Sequence, residues 1–202
     1  MNLGACGGLT RFPLTGTWYR ALNLSFLPSA LSTLHTRRAL SRFNAGSNLA
    51  VSDQFPILYL AADPITAQYE FGAVFSDTRG TVIPNPHVSY AMLNVQISLS
   101  EVFDLTDVTA AQTPLGVTAQ ELTGDWRGYD LRGPHSSVKE PIGIAPTQEL
   151  GAALSATGVE GFQTISARVP TSRVLVVFPN NLRARSYVVY RDDSGTVVHH
   201  IP

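Results

Sequence analysis

The chain has 202 residues, 44% of them hydrophobic and 14% charged, with a formal net charge of -1. That length suits one domain with a sizeable core. The balanced charge argues against a broad electrostatic partner such as duplex DNA or an anionic membrane.

The single cysteine, Cys6, leaves no internal disulfide and no cysteine metal site. The histidines are His35, His87, His135, His199 and His200, and no metal motif emerges from their spacing. Lys139 is the only lysine, so the basic residues are almost all arginine. Arginine suits bidentate recognition of phosphate, although genome base composition produces the same bias. "LGAC" at Leu3 to Cys6 looks like the end of a lipoprotein signal, but no charged and apolar segment precedes it. No run approaches the ~18 apolar residues of a membrane span. The expected location is cytoplasmic.

Residues 1–14, with "GACGG", read as a poorly ordered lead-in to a domain over 15–202. "TGTWYRALN" (Thr15–Asn23) reads as a first strand after a glycine turn. "PSALSTLHTRRAL" (Pro28–Leu40) reads as a short helix opened by proline. "SRFNAGSN" (Ser41–Asn48) ends in turn residues. "FPILYLAA" (Phe55–Ala62) is a nearly continuous apolar strand, which implies burial on both faces. "DPITAQYEFGAVF" (Asp63–Phe75) has Asp63 as N-cap and Pro64 at the first helical position.

"HVSYAMLNVQISLSEVFDL" (His87–Leu105) gives one or two strands, and "TAQELTG" (Thr118–Gly124) a short helix. The stretch 125–146 is too long and too rich in Gly, Pro and Ser for a plain connection. "TQELGAALSATG" (Thr147–Gly158) is a helix ending at glycine. "FQTISARV", "RVLVVF" and "RSYVVYRD" are strands, and the last turns through "DDSG" into "TVVHHI". The order predicts one α+β domain with a mixed, largely antiparallel sheet flanked by helices.

The chemistry concentrates at Tyr59 and Glu70. Tyr59 lies four residues before Asp63, about 13 Å at strand rise. Glu70 lies seven residues after it, about 10 Å at helical rise. If the helix folds back over the strand, both side chains reach one cleft. Glu70 falls at the margin of the helix's apolar face, where a carboxylate is either paired with a nearby arginine or poised for chemistry. Arg20, inward on the first strand, needs an anionic partner, unless its head lies in water at a strand edge. Arg42 has the same two readings. Ser166 falls within a strand, where a hydroxyl commonly bonds to neighbouring backbone.

Together "WYRAL", "SRFN", "LYLAADPITAQYE" and "GVEGFQTISAR" followed by "VLVVFPNNL" resemble the RES domain family, from about Thr15 to Asp193. The family is named for an arginine, a glutamate and a serine, which the resemblance places on Arg20, Glu70 and Ser166. The second arginine and the tyrosine of the family's pocket fall on Arg42 and Tyr59. Family members often have glycines just before the second arginine, whereas Leu40 and Ser41 stand here.

The resemblance implies an ADP-ribosyltransferase-like fold and action on NAD as substrate, with no cofactor or metal. Phosphorolysis or hydrolysis of NAD is the leading expectation, with inorganic phosphate or water as acceptor. Transfer of ADP-ribose to a protein is an alternative, and a non-catalytic NAD-binding module is another. The resemblance also implies a bacterial toxin whose partner is a helix-turn-helix antitoxin. The chain itself is expected not to bind nucleic acid or membrane. Open sheet edges near the C-terminus allow a homodimer.

Read from their chemistry, Glu70 can oppose the positive charge that develops on a ribose, and the face of Tyr59 can hold a cationic nicotinamide. Arg20 can grip a diphosphate with two parallel hydrogen bonds. Ser166 can orient the nicotinamide amide or the ribose. No GxGxxG is present, so redox use of NAD is not expected.

Overall fold

A computed structural model describes residues 1–129, 143–192 and 194–202. Among the described residues nine strands occur in chain order: β1 (Phe12–Asn23), β2 (Leu58–Ala61), β3 (Val74–Ser76), β4 (Val82–Pro84), β5 (Tyr90–Asp104), β6 (Gly161–Ile165), β7 (Arg173–Val177), β8 (Tyr187–Arg191) and β9 (Val197–Ile201). The α-helices among the described residues are α1 (Pro64–Phe71), α2 (Thr113–Leu115), α3 (Ala119–Thr123) and α4 (Pro146–Ala156).

The main sheet runs β1-β2-β7-β6-β5-β8-β9, and β1 also pairs with β5. That extra pairing closes β1, β2, β7, β6 and β5 into a five-stranded barrel. The expected mixed sheet is present: among the described residues the β5–β6 pair is parallel and the other pairs of this sheet are antiparallel. Closure was not foreseen, because no local pattern announces which distant strands meet. The closure is uneven. β1 pairs with β5 along nearly its whole length but with β2 only at Tyr19 opposite Ala61.

Alternation along the strands feeds two cores. Leu58, Leu60, Leu175 and Val177 join one cluster with Trp18, Leu93 and Val95. The intervening Val174 and Val176 turn to the other, with Phe162 and Phe178. The second core is capped by α4 through Leu150 and Leu154, and by Phe43, whose ring meets Phe162 edge-on at 5.0 Å. Burying such a ring stabilises the fold by roughly 1.5–3 kcal/mol.

Glycine in mid-helix is usually a loss, yet Gly151 sits in α4. A Cβ there would stand 1.9 Å from the Phe43 carbonyl oxygen. On an open helix Gly151→Ala would stabilise by about 0.5–1 kcal/mol. Here the clash is with backbone, so the expected result is a loss of about 1–3 kcal/mol, measured by urea unfolding.

Three expectations are corrected. Residues 1–14 are not a loose lead-in. A 3-10 turn at Leu3–Gly8 buries Cys6 and Leu9, and the Asn2 N–H donates to the Leu115 carbonyl at 2.6 Å. Pro28–Leu40 forms no α-helix, only 3-10 turns at Leu24–Ser29 and Leu34–Arg37. The helix expected to reach Phe75 stops at Phe71, because Gly72 turns left-handed (φ 81°) and its N–H caps the Gln68 and Tyr69 carbonyls. Val74, placed on that helix by the sequence pattern, begins β3 instead.

Candidate active site

A cavity of about 300 Å³ opens where β1, β2, β6 and β7 meet α1. Tyr19 and Arg20 come from β1, Tyr59 and Ala61 from β2, and Glu70 from α1. Thr164 and Val174 form its floor on β6 and β7. Ser41, Arg42 and Phe43 supply another side, and Trp126, Arg127 and Arg168 complete the wall. The sequence-predicted residues Arg20, Arg42, Tyr59 and Glu70 therefore meet in one place.

Glu70 owes its position to local chemistry. The Asp63 carboxylate caps α1, accepting from the Thr66 N–H at 2.8 Å and the Thr66 hydroxyl at 2.6 Å. Partial burial disfavours its charge. Hydrogen bonds from Thr66 and from the Ser172 hydroxyl outweigh this and hold its pKa below the usual value. One face of α1, with Thr66 and Ala67, is buried, and Glu70 stands exposed to the cavity. Among the described residues no ion pair within 4 Å reaches Glu70; those resolved join Arg11 and Arg183 to Glu101, Arg127 to Asp125 and Arg173 to Asp104. The alternative of a boundary glutamate paired with arginine is absent there. Its partner is Ser166, whose hydroxyl donates to Oε1 at 2.6 Å.

Ser166 differs from its expected setting. It lies just past β6, in a turn, and is fully buried. Its oxygen accepts from the N–H groups of Arg168 (3.2 Å) and Val169 (2.9 Å) while its proton goes to Glu70. The hydroxyl is thus spent on the turn and the carboxylate, and Ser166 is not among the residues lining the cavity.

Arg20 reaches across the sparse β1–β2 pairing, and its Nη1 donates to the Tyr59 carbonyl at 3.4 Å. Burial pushes its pKa down to about 10. Arg42 is held by a turn in which Ser41 and Asn44 bridge each other. The Tyr59 hydroxyl locks that turn, 2.9 Å from the Ser41 hydroxyl and accepting the Phe43 N–H at 3.1 Å. Ser41, which stands where the family often has glycine, therefore has a partner. Buried Asn44 donates to the Thr36 and Phe55 carbonyls, and Gln148 of α4 donates to the Ser41 carbonyl. Burial lowers the pKa of Arg42. Glu70 and Tyr59 pull it back, and the like charges of Arg127 and Arg168 push it further down. Burial foremost raises the pKa of Tyr59, against its hydrogen bonds with Ser41 and Phe43, which keeps it a neutral phenol.

Among the described residues three buried side-chain polar atoms have no partner: Arg20 Nε, Arg42 Nε and Thr164 Oγ1. All three belong to the cavity wall. Unmet buried donors are costly unless a ligand meets them. Four guanidinium groups and one carboxylate around a single cavity describe a site for an anionic ligand with a cationic or electron-poor region near Glu70.

Sequence reasoning missed Arg168, Trp126, Arg127 and Thr164. Trp126 and Arg127 had a signal: "DWRG" opens the over-long stretch 125–146, and the Arg127 guanidinium lies 4.9 Å from the Trp126 ring centroid. Residues 130–142 of that stretch lie outside the described residues. Among the described residues no helix is long and apolar enough to cross a membrane.

A family model described as "RES domain" matches residues 17–198. No curated protein matches the sequence. Among solved structures, the chain is similar to one titled "Crystal structure of the M.tuberculosis MbcT-MbcA toxin-antitoxin complex", at 20% identity and a TM-score of 0.61. The match covers 94% of this chain and 88% of that one.

Proposed function

The chain belongs to the RES domain family, and we propose that it is an NAD-degrading enzyme, the toxin of a toxin–antitoxin pair, that cleaves the nicotinamide–ribose bond. One observation carries the reading. A serine-held carboxylate with no arginine ion pair among the described residues faces a cavity in which two half-buried arginines each keep a buried, unmet Nε.

The chemistry uses those groups directly. The bond between ribose C1 and the nicotinamide nitrogen breaks, and its electron pair stays on nitrogen, neutralising the ring's positive charge. Positive charge then develops on the sugar, as in glycoside hydrolysis. The Glu70 carboxylate opposes it from a fixed position. Arg20 and Arg42 bind the diphosphate. The face of Tyr59 accompanies the departing ring. Ser166 acts through Glu70 rather than on the ligand. An oxygen of phosphate or water then bonds to C1, and water gives up a proton in doing so. The proposal includes an ADP-ribosyltransferase-like use of the fold, a helix-turn-helix antitoxin as partner and a cytoplasmic setting.

The test is incubation of the purified chain with NAD alone, followed by chromatography. Nicotinamide release without a protein acceptor is the expected result, and phosphate dependence of the second product chooses between phosphorolysis and hydrolysis. Release only when a protein acceptor is supplied would turn the reading to ADP-ribosyl transfer. Binding without turnover would leave a non-catalytic module.

A further inference from the structure

We propose that Ser172 is a positioning residue for Glu70, acting through Asp63 in a closed hydrogen-bonded circuit; this rests on the catalytic reading of Glu70. The circuit joins two segments far apart in sequence. At one end the Ser172 hydroxyl donates to Asp63 Oδ2 at 2.7 Å, at the start of α1. At the other the Ser166 hydroxyl donates to Glu70 Oε1 at 2.6 Å, near the end of α1. Between them the turn is internally tied, since the Ser166 N–H donates to the Ser172 carbonyl at 3.0 Å and the Ser172 N–H to the Val169 carbonyl at 2.8 Å. Helix and turn are thus pinned to each other at both ends.

The physical consequence follows from leverage. A carboxylate on an exposed helix position ordinarily samples several rotamers. One hydrogen bond from a turn fixes it only if the turn is itself fixed. Asp63 provides that anchor. It is rigid because it also caps α1. Ser172 does not line the cavity, so its effect on catalysis runs through the geometry of Glu70. Misplacing a catalytic group by about 1 Å can cost 10²-fold in rate.

The experiment uses Ser172→Ala, which removes one hydroxyl and leaves the α1 cap intact, and Ser172→Thr, which restores a donor. Two quantities are read in each folded protein: steady-state kinetics with NAD, and amide hydrogen exchange at Arg168 and Val169, whose N–H groups bind Ser166. Ser172→Ala is expected to lower kcat roughly 10- to 100-fold with KM nearly unchanged, and to speed exchange at both amides. Ser172→Thr should recover most of both. Ser172→Ala combined with Ser166→Ala should cost little beyond Ser166→Ala alone, because both act through one carboxylate. Unchanged exchange in Ser172→Ala would overturn the circuit. Faster exchange with unchanged kcat would overturn the positioning role. A wild-type chain that releases no nicotinamide would instead overturn the NAD reading, and exchange would still judge the circuit.

Discussion

Glu70→Gln is expected to lower turnover of bound NAD by about 10²–10³, the usual cost of losing one well-placed electrostatic contact. NAD affinity should change little. The substitution keeps the size of the side chain and an oxygen that can accept from the Ser166 hydroxyl. What it removes is negative charge, and that charge matters most when the ribose is most positive. The lost interaction is stronger in the transition state than in the ground state, so kcat falls and binding survives. Glu70 is exposed to the cavity and has no ion pair among the described residues, so the fold should hold, with Arg42 losing only the more distant charge that partly offsets its burial. Calorimetry for affinity and chromatography of nicotinamide for rate check both halves. Near-normal turnover in a folded variant would make Glu70 a structural residue and remove the carrying observation of the proposed function.

Arg20→Lys should do the reverse, raising KM roughly 10- to 100-fold while turnover of bound NAD is less affected. Lysine keeps the charge but loses the planar fork, and charge-assisted hydrogen bonds contribute about 1.5–3 kcal/mol each. The buried Nε without a partner is the donor at stake. Wild-type binding carries a matching pH signature. Burial sets the Arg20 pKa at about 10, so KM should rise as pH passes through that value and the cation is lost. Stability moves oppositely for this group. The unfolded chain keeps the proton to higher pH, so raising pH through about 10 favours the folded state. An anion in the cavity opposes that deprotonation, because it stabilises the cation that burial disfavours. An unaffected Arg20→Lys would remove Arg20 from ligand binding, whereas a pH-independent KM would show only that the Arg20 cation persists through this range.

Much of the site was legible because its signals are local. Asp63 and Pro64 mark a helix start in any fold, and the short connection Ala62–Asp63 forces Tyr59 and Glu70 to share a cleft. The helix end was misread because apolar residues continue through "GAVF", while Gly72 alone carries the stop. Pro28–Leu40 misled for a different reason. Its threonines spend their hydrogen bonds elsewhere: the Thr36 hydroxyl donates to the Thr33 carbonyl and accepts the Ile57 N–H, and its carbonyl takes a bond from Asn44. Such side-chain bonds compete with helix, and here they win. Ser166 looked like a strand residue because "FQTISARV" alternates, yet its oxygen collects two N–H groups two and three residues on, which makes a turn. Arg168 and Thr164 could not be singled out from spacing, since β6 and its turn reach the cavity only once the barrel closes.

The barrel has a seam. β1 meets β2 at one residue pair, Tyr19 and Ala61, while its other side is paired almost throughout. Opening the ring there breaks the fewest ladder bonds, so the seam is where the closed cylinder is most readily breached. Arg20 stands on one lip of it and Tyr59 on the other, joined by the 3.4 Å bond to the Tyr59 carbonyl. A ligand gripped by Arg20 and facing Glu70, just beyond β2, would then act as a rivet across the breach. Occupancy of the cavity and integrity of the cylinder would be one event.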